Sequence, residues 1–176
     1  MKTSIALIGF MGVGKTAVGK ALAEKLDKRF VELDSLIEQK AGKTIPELFH
    51  QDGEVAFREL EIEVTKQVST NKNLVIACGG GLVLNKINID RLRNESIIVY
   101  LTASLRAILN RIPSEGEERP LLDTPDRALA IQELLRFRKP FYEQAADIKI
   151  DTSKLDINSV VEQIIEKLKE DEGFNF

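Results

Sequence analysis

The chain has 176 residues, 25 Lys plus Arg against 28 Asp plus Glu, a formal net charge of −3, and 43% apolar and 30% charged residues. This is the length and composition of one soluble globular domain. Its acidic balance speaks against a dedicated nucleic-acid binder but leaves small anionic ligands open, because a site can be locally positive on a mildly acidic protein.

One Cys, Cys78, and one His, His50, speak against an internal disulfide, a cysteine-based zinc site and most transition-metal centres. There is no apolar run of membrane-spanning length and no signal-peptide pattern at Met1–Ser4. The chain is therefore expected to act in the cytoplasm, with no membrane partner and as a monomer.

In chain order, Thr3 to Ile8 is a short apolar run that predicts a buried strand ending at Gly9. A Gly-rich turn follows, and Val18, Leu22 and Leu26 then recur at helical spacing. Arg29 to Leu33 predicts a second strand, and Asp34 to Ala41 a helix closed by Gly42. Thr44-Ile45-Pro46-Glu47 has the form of a capping box with Pro in the first turn. After Asp52-Gly53, a helix carries Ala56, Leu60, Val64 and Val68 on one stripe.

Asn73 to Cys78 predicts a buried strand running into Gly79-Gly80-Gly81, and Ser96 to Leu101 another. Ser104 caps a helix over Leu105 to Arg111. Residues 112–124, with Pro113, Gly116 and Pro120 among several charges, read as a mobile lid. Pro125 opens a long helix that Pro140 is expected to interrupt or kink. Ile148 to Asp151 predicts the last strand, and an amphipathic helix runs from Ile157 to Leu168. Asp171 to Phe176 reads as a frayed tail.

Strands alternating with helices predict an α/β fold: a three-layer α/β/α sandwich on a five-stranded parallel sheet, one domain over residues 1–176. Ligands of such sheets bind beyond the carboxyl ends of the strands. There lies Gly9-Phe10-Met11-Gly12-Val13-Gly14-Lys15-Thr16, a full match to the phosphate-loop pattern between a strand and a helix. Its backbone N–H groups and helix N-terminus suit phosphate oxygens, Lys15 suits the β- and γ-phosphates, and the Thr16 hydroxyl suits Mg²⁺. The loop implies a nucleoside triphosphate, Mg²⁺ and phosphoryl transfer, and leaves the acceptor open.

Four features bear on the acceptor. Glu32 and Asp34 point the same way from a strand end, so one suits a water-mediated contact to Mg²⁺ and the other a base; Asp34 as a helix N-cap fits the spacing equally well. Arg58 lies between Glu54 and Glu61 at helical spacing, which by itself reads as a salt-bridge network. Gly79, Gly80 and Gly81 allow a ligand to approach backbone. Arg119 in the lid could meet the transferring phosphate, and Arg138 before Pro140 could face an anion.

Taken together, GFMGVGKT, VELDSLIE, DGEVAFRELE, GGG, ERPLL and RKPFY, in that order over residues 3–168, resemble the shikimate kinase family, P-loop kinases of the nucleoside monophosphate kinase type. The resemblance implies transfer of the γ-phosphoryl of ATP to the 3-hydroxyl of shikimate. The products are shikimate 3-phosphate and ADP, on the route to chorismate and the aromatic amino acids. It implies Lys15, Asp34 and Arg119 as catalytic residues. Gly12, Val13, Gly14, Lys15, Thr16, Ala17, Arg111 and Arg119 would bind nucleotide, with Arg111 against adenine. Asp34, Arg58, Gly79, Gly80, Gly81 and Arg138 would bind shikimate in an acceptor region over residues 33–61 and beyond, with Glu61 orienting Arg58. Thr16, and Glu32 through water, would hold Mg²⁺. The chain departs from the family pattern at Glu32, where Asp is common, and in a slightly longer, Glu-rich lid.

Overall fold

The computed structural model describes residues 1–112, 120–122, 124–154 and 156–176. Five strands form one parallel sheet: β1 (Ser4–Ile8), β2 (Arg29–Glu32), β3 (Leu74–Ala77), β4 (Ser96–Thr102) and β5 (Ile148–Asp151), in the order β2-β3-β1-β4-β5. Strands β1 and β3 are buried throughout, as expected of continuous apolar runs covered on both faces. At one edge, β5 alternates buried and exposed residues. Ile5 pairs with Val75 on one side and with Ile97 on the other, which places β1 at the centre.

The helices are α1 (Lys15–Lys25), α2 (Leu33–Ala41), α3 (Ile45–Val68), α4 (Lys86–Glu95), α5 (Leu105–Arg111), α6 (Arg127–Ala145) and α7 (Ile157–Glu170). The capping box at Thr44 is formed: the Thr44 N–H donates to the Glu47 carboxylate at 2.8 Å, and the Glu47 N–H donates to the Thr44 hydroxyl at 3.3 Å. Gly53, at φ 84° and ψ 171°, breaks α3 into two helical stretches. The second stretch carries Phe57, Arg58 and Glu61.

Three elements differ from the sequence reading. Helix α4 was not anticipated, because it presents only Asn88, Ile89 and Leu92 to the core and lacks a side-chain cap. Helix α6 begins at Arg127, with Asp126 as its N-cap, and runs on through Pro140 to Ala145 without interruption. The missing proline N–H costs one backbone bond, and flanking packing through Arg138 and Tyr142 outweighs it. The carboxyl-terminal segment is not frayed. Lys2 donates its N–H to Gly173 at 2.7 Å and accepts from Asn175 at 2.8 Å, Phe174 is buried, and Lys28 lies over its ring.

Candidate functional site

The site is a cleft of about 1170 Å³ at the carboxyl ends of β1, β2 and β3. One side of it is the loop between β1 and α1. Gly9 sits at φ 148° so close to β4 that an added Cβ would collide with the Leu101 carbonyl, and Gly12 and Gly14 also take positive φ. Lys15 Nζ donates to the carbonyls of Gly9 at 2.7 Å and Phe10 at 3.0 Å, so its ammonium arches over the loop. The Thr16 hydroxyl donates to Glu32 Oε1 at 2.5 Å. Gly12, Gly14, Lys15, Thr16 and Ala17 line the cleft, whereas the Val13 side chain turns into the core.

The other side is built around the three glycines after β3. Their backbone is ordinary; what they supply is space. A Cβ on Gly79 would lie 2.9 Å from Asp34 Oδ1 and 3.1 Å from Glu61 Oε2. A Cβ on Gly80 would lie 3.4 Å from Arg138 Nη1, and one on Gly81 would overlap the Arg58 guanidinium. The missing side chains of three consecutive residues thus make room for four charged groups from α2, α3 and α6.

Asp34 is not a helix cap. Glu32 occupies that position, and Asp34 lies in the first turn of α2. Its Oδ1 is buried without a hydrogen-bond partner among the described residues. Burial raises its pKa above the ordinary carboxylate range and Glu32 and Glu38 add to the rise, against opposing pulls from Lys15 and Arg58.

Arg58 makes both kinds of contact that its spacing allowed. Its Nη1 donates to Glu61 at 2.9 Å and its Nη2 to Glu54 at 3.2 Å, while the group faces the cleft with the Phe57 ring beneath it. Glu61 is 1% exposed, with Oε2 unpartnered among the described residues and a pKa raised by burial. Arg138, 3% exposed, leaves its Nε without a partner among those residues. Tyr142 beside it donates its hydroxyl to the Gly80 carbonyl and stacks on Tyr100 at 5.0 Å.

Phe49 and Phe57, with ring centroids 4.8 Å apart, add an apolar wall that the sequence reading did not place in the site. Their spacing of eight residues across Gly53 hides the pairing. Pro120 and Leu121 also line the cleft, while Arg119 and most of the expected lid lie outside the described residues. Arg111 is at the back of the phosphate loop, bonded to Thr152. Cys78 is buried and its thiol pKa is raised, which makes it an inert packing group. His50 is exposed.

The family model for shikimate kinase matches residues 11–169. The chain belongs to the shikimate kinase family. It is 42% identical to the shikimate kinase of Symbiobacterium thermophilum over 168 residues, covering 95% of this chain and 97% of that one. It is 45% identical to the shikimate kinase of Caldanaerobacter subterraneus over 162 residues, covering 92% and 94%. A solved shikimate kinase from Acinetobacter baumannii, in complex with shikimate, superposes with a TM-score of 0.92 at 34% identity, covering 98% of this chain and 96% of that one. The five-stranded parallel sheet and its phosphate loop are therefore those of a shikimate kinase.

Proposed function

We propose that this cleft performs the reaction of its family, transfer of the γ-phosphoryl of ATP to the 3-hydroxyl of shikimate. The observation that carries the assignment of residues is the convergence of Asp34, Arg58, Glu61 and Arg138 on the three glycines beside the phosphate loop.

Shikimate is a small carboxylic acid with ring hydroxyls. Two arginines fit its carboxylate, because a planar guanidinium donates in a fork that a lysine cannot reproduce. Asp34 fits the hydroxyl. It would take the 3-hydroxyl proton as the oxygen–phosphorus bond forms and the bond from the γ-phosphorus to the bridging oxygen breaks, releasing ADP. Its raised pKa brings its basicity closer to neutral pH, where general bases act best. Lys15 and the loop N–H groups would hold the β- and γ-phosphates, and Arg119 from the lid would meet the charge on the transferring group.

The donor set also fits Mg²⁺. Thr16 and Glu32 offer oxygen ligands only, and the described residues contain no group of three or more His, Cys, Asp or Glu that could hold a metal ion by itself. Mg²⁺ keeps several waters and takes substrate phosphate oxygens, so a hydroxyl and a carboxylate acting through water suffice. When bound, it neutralises phosphate charge. The chain would act as a monomer in the cytoplasm on small molecules. No helix among the described residues is long and apolar enough to cross a membrane.

Coupled ADP-release assays test the reaction. Turnover with shikimate and Mg-ATP, and none with gluconate or nucleoside monophosphates, is the expected result. Turnover on another acceptor with none on shikimate would overturn it.

A further inference from the structure

A phosphate loop that turns N–H groups toward an anion must turn carbonyls the other way, and buried carbonyls need donors. Lys15 serves Gly9 and Phe10. The carbonyl of Val13, a residue 2% exposed, is served from 139 positions away by the Thr152 hydroxyl at 3.0 Å. Thr152 follows β5 and is 3% exposed. Its hydroxyl lies equally close, 3.0 Å, to the Thr102 carbonyl, whose oxygen also accepts the Thr152 N–H at 2.8 Å, so the Val13 carbonyl depends on the hydroxyl more than the Thr102 carbonyl does. The Thr152 hydroxyl oxygen accepts from Arg111 Nη1 at 3.0 Å, and Arg111 Nη2 donates to the Thr152 carbonyl at 2.7 Å. Arg111 Nη1 also reaches the Gly12 carbonyl, at 3.5 Å. One buried hydroxyl therefore joins the phosphate loop, the end of β4, the end of α5 and the segment leading into α7.

We propose that Thr152 is a positioning residue for nucleotide binding. Through Val13 it holds the back of the phosphate loop, and through Arg111 it fixes the guanidinium beside Gly12. It touches no substrate. The inference rests on the reading of this loop as the nucleotide site, but not on shikimate as the acceptor. Thr152→Val keeps the branched shape and removes the hydroxyl, leaving the Val13 carbonyl buried without its donor. Thr152→Ser keeps the hydroxyl and removes a methyl.

The test is calorimetric titration of the purified chain and both variants with Mg-ADP and, separately, with shikimate. The expected result is that Thr152→Val weakens Mg-ADP binding about tenfold, the scale of one buried polar group left unpaired. Thr152→Ser should stay within about twofold of wild type for Mg-ADP, and shikimate affinity should be unchanged in both, as expected for separate subsites. Equal Mg-ADP affinity in wild type and Thr152→Val would overturn the proposal. So would equal losses in the Val and Ser variants, or parallel losses for both ligands, because those are the marks of a packing role. Because Mg-ADP binding is read without turnover, a failure of shikimate to react would count against the acceptor assignment and leave this result standing.

Discussion

Asp34 shows how a residue whose spacing fits two roles is decided by its surroundings. Spacing alone fits a cap or a base. In the folded chain the cap position falls to Glu32, and Asp34 is left buried with an orphaned oxygen beside Gly79. Burial raises its pKa, so its contribution to stability is present below the unfolded value of about 4 and is lost as pH rises through the folded-state pKa. At pH 8 the buried carboxyl group is a net cost to the ligand-free protein. Asp34→Asn is therefore expected to raise Tm by a few degrees at pH 8, with the gain disappearing toward about pH 4, and to lower kcat by more than about 100-fold. Thermal melts across pH together with steady-state kinetics check both halves. A variant as labile as wild type at pH 8 would mean that Lys15 and Arg58 already compensate the charge.

At the scale of the element, the three-glycine turn is the clearest case of absent side chains shaping a site. Gly81→Ala places a methyl where the Arg58 guanidinium lies, so Arg58 must leave its contacts with Glu54 and Glu61. The KM for shikimate is expected to rise about tenfold while the KM for ATP stays within about twofold, as a displaced clamp removes roughly one charge-assisted hydrogen bond. Initial-rate measurements with each substrate varied in turn distinguish this from a general loss of folding.

The same scale shows why some elements could be read from the sequence and others could not. The phosphate loop was legible because its eight residues are contiguous and flanked by an apolar strand and a helical stripe. Arg58 was ambiguous because its ion pairs are local, whereas its place in the cleft depends on Gly81, which is 23 positions away in the chain. Helix α4 was missed because its apolar stripe is only two residues deep. Helix α6 passed through Pro140 because buried Arg138 and Tyr142 anchor both sides.

For the whole molecule, order β2-β3-β1-β4-β5 gathers chemistry from distant parts of the sequence at one end of the sheet. The alternation of strands and helices made this architecture readable; the closure of the chain on itself was not. Phe174 packs beside the start of β1, with Lys2 bonded to Gly173 and Asn175, contacts that no periodicity marks. Phe174→Ala is expected to cost about 3 kcal/mol and to lower Tm by roughly 6–12 °C. It should leave kcat and both KM values within about twofold, because the loss lies far from the cleft. Calorimetry and kinetics on one preparation test this, and a specific loss of shikimate affinity would contradict it.

The positive charge important to the site is concentrated in Lys15, Arg58 and Arg138 within a chain of net charge −3. A crystal structure of the chain with shikimate and ADP decides the roles of Asp34, Arg58 and Arg138. The expected complex has the shikimate carboxylate between Arg58 and Arg138, and the 3-hydroxyl within hydrogen-bond reach of Asp34 and facing the phosphate loop. A shikimate bound with its carboxylate away from both arginines, or with Asp34 out of reach of that hydroxyl, would contradict it.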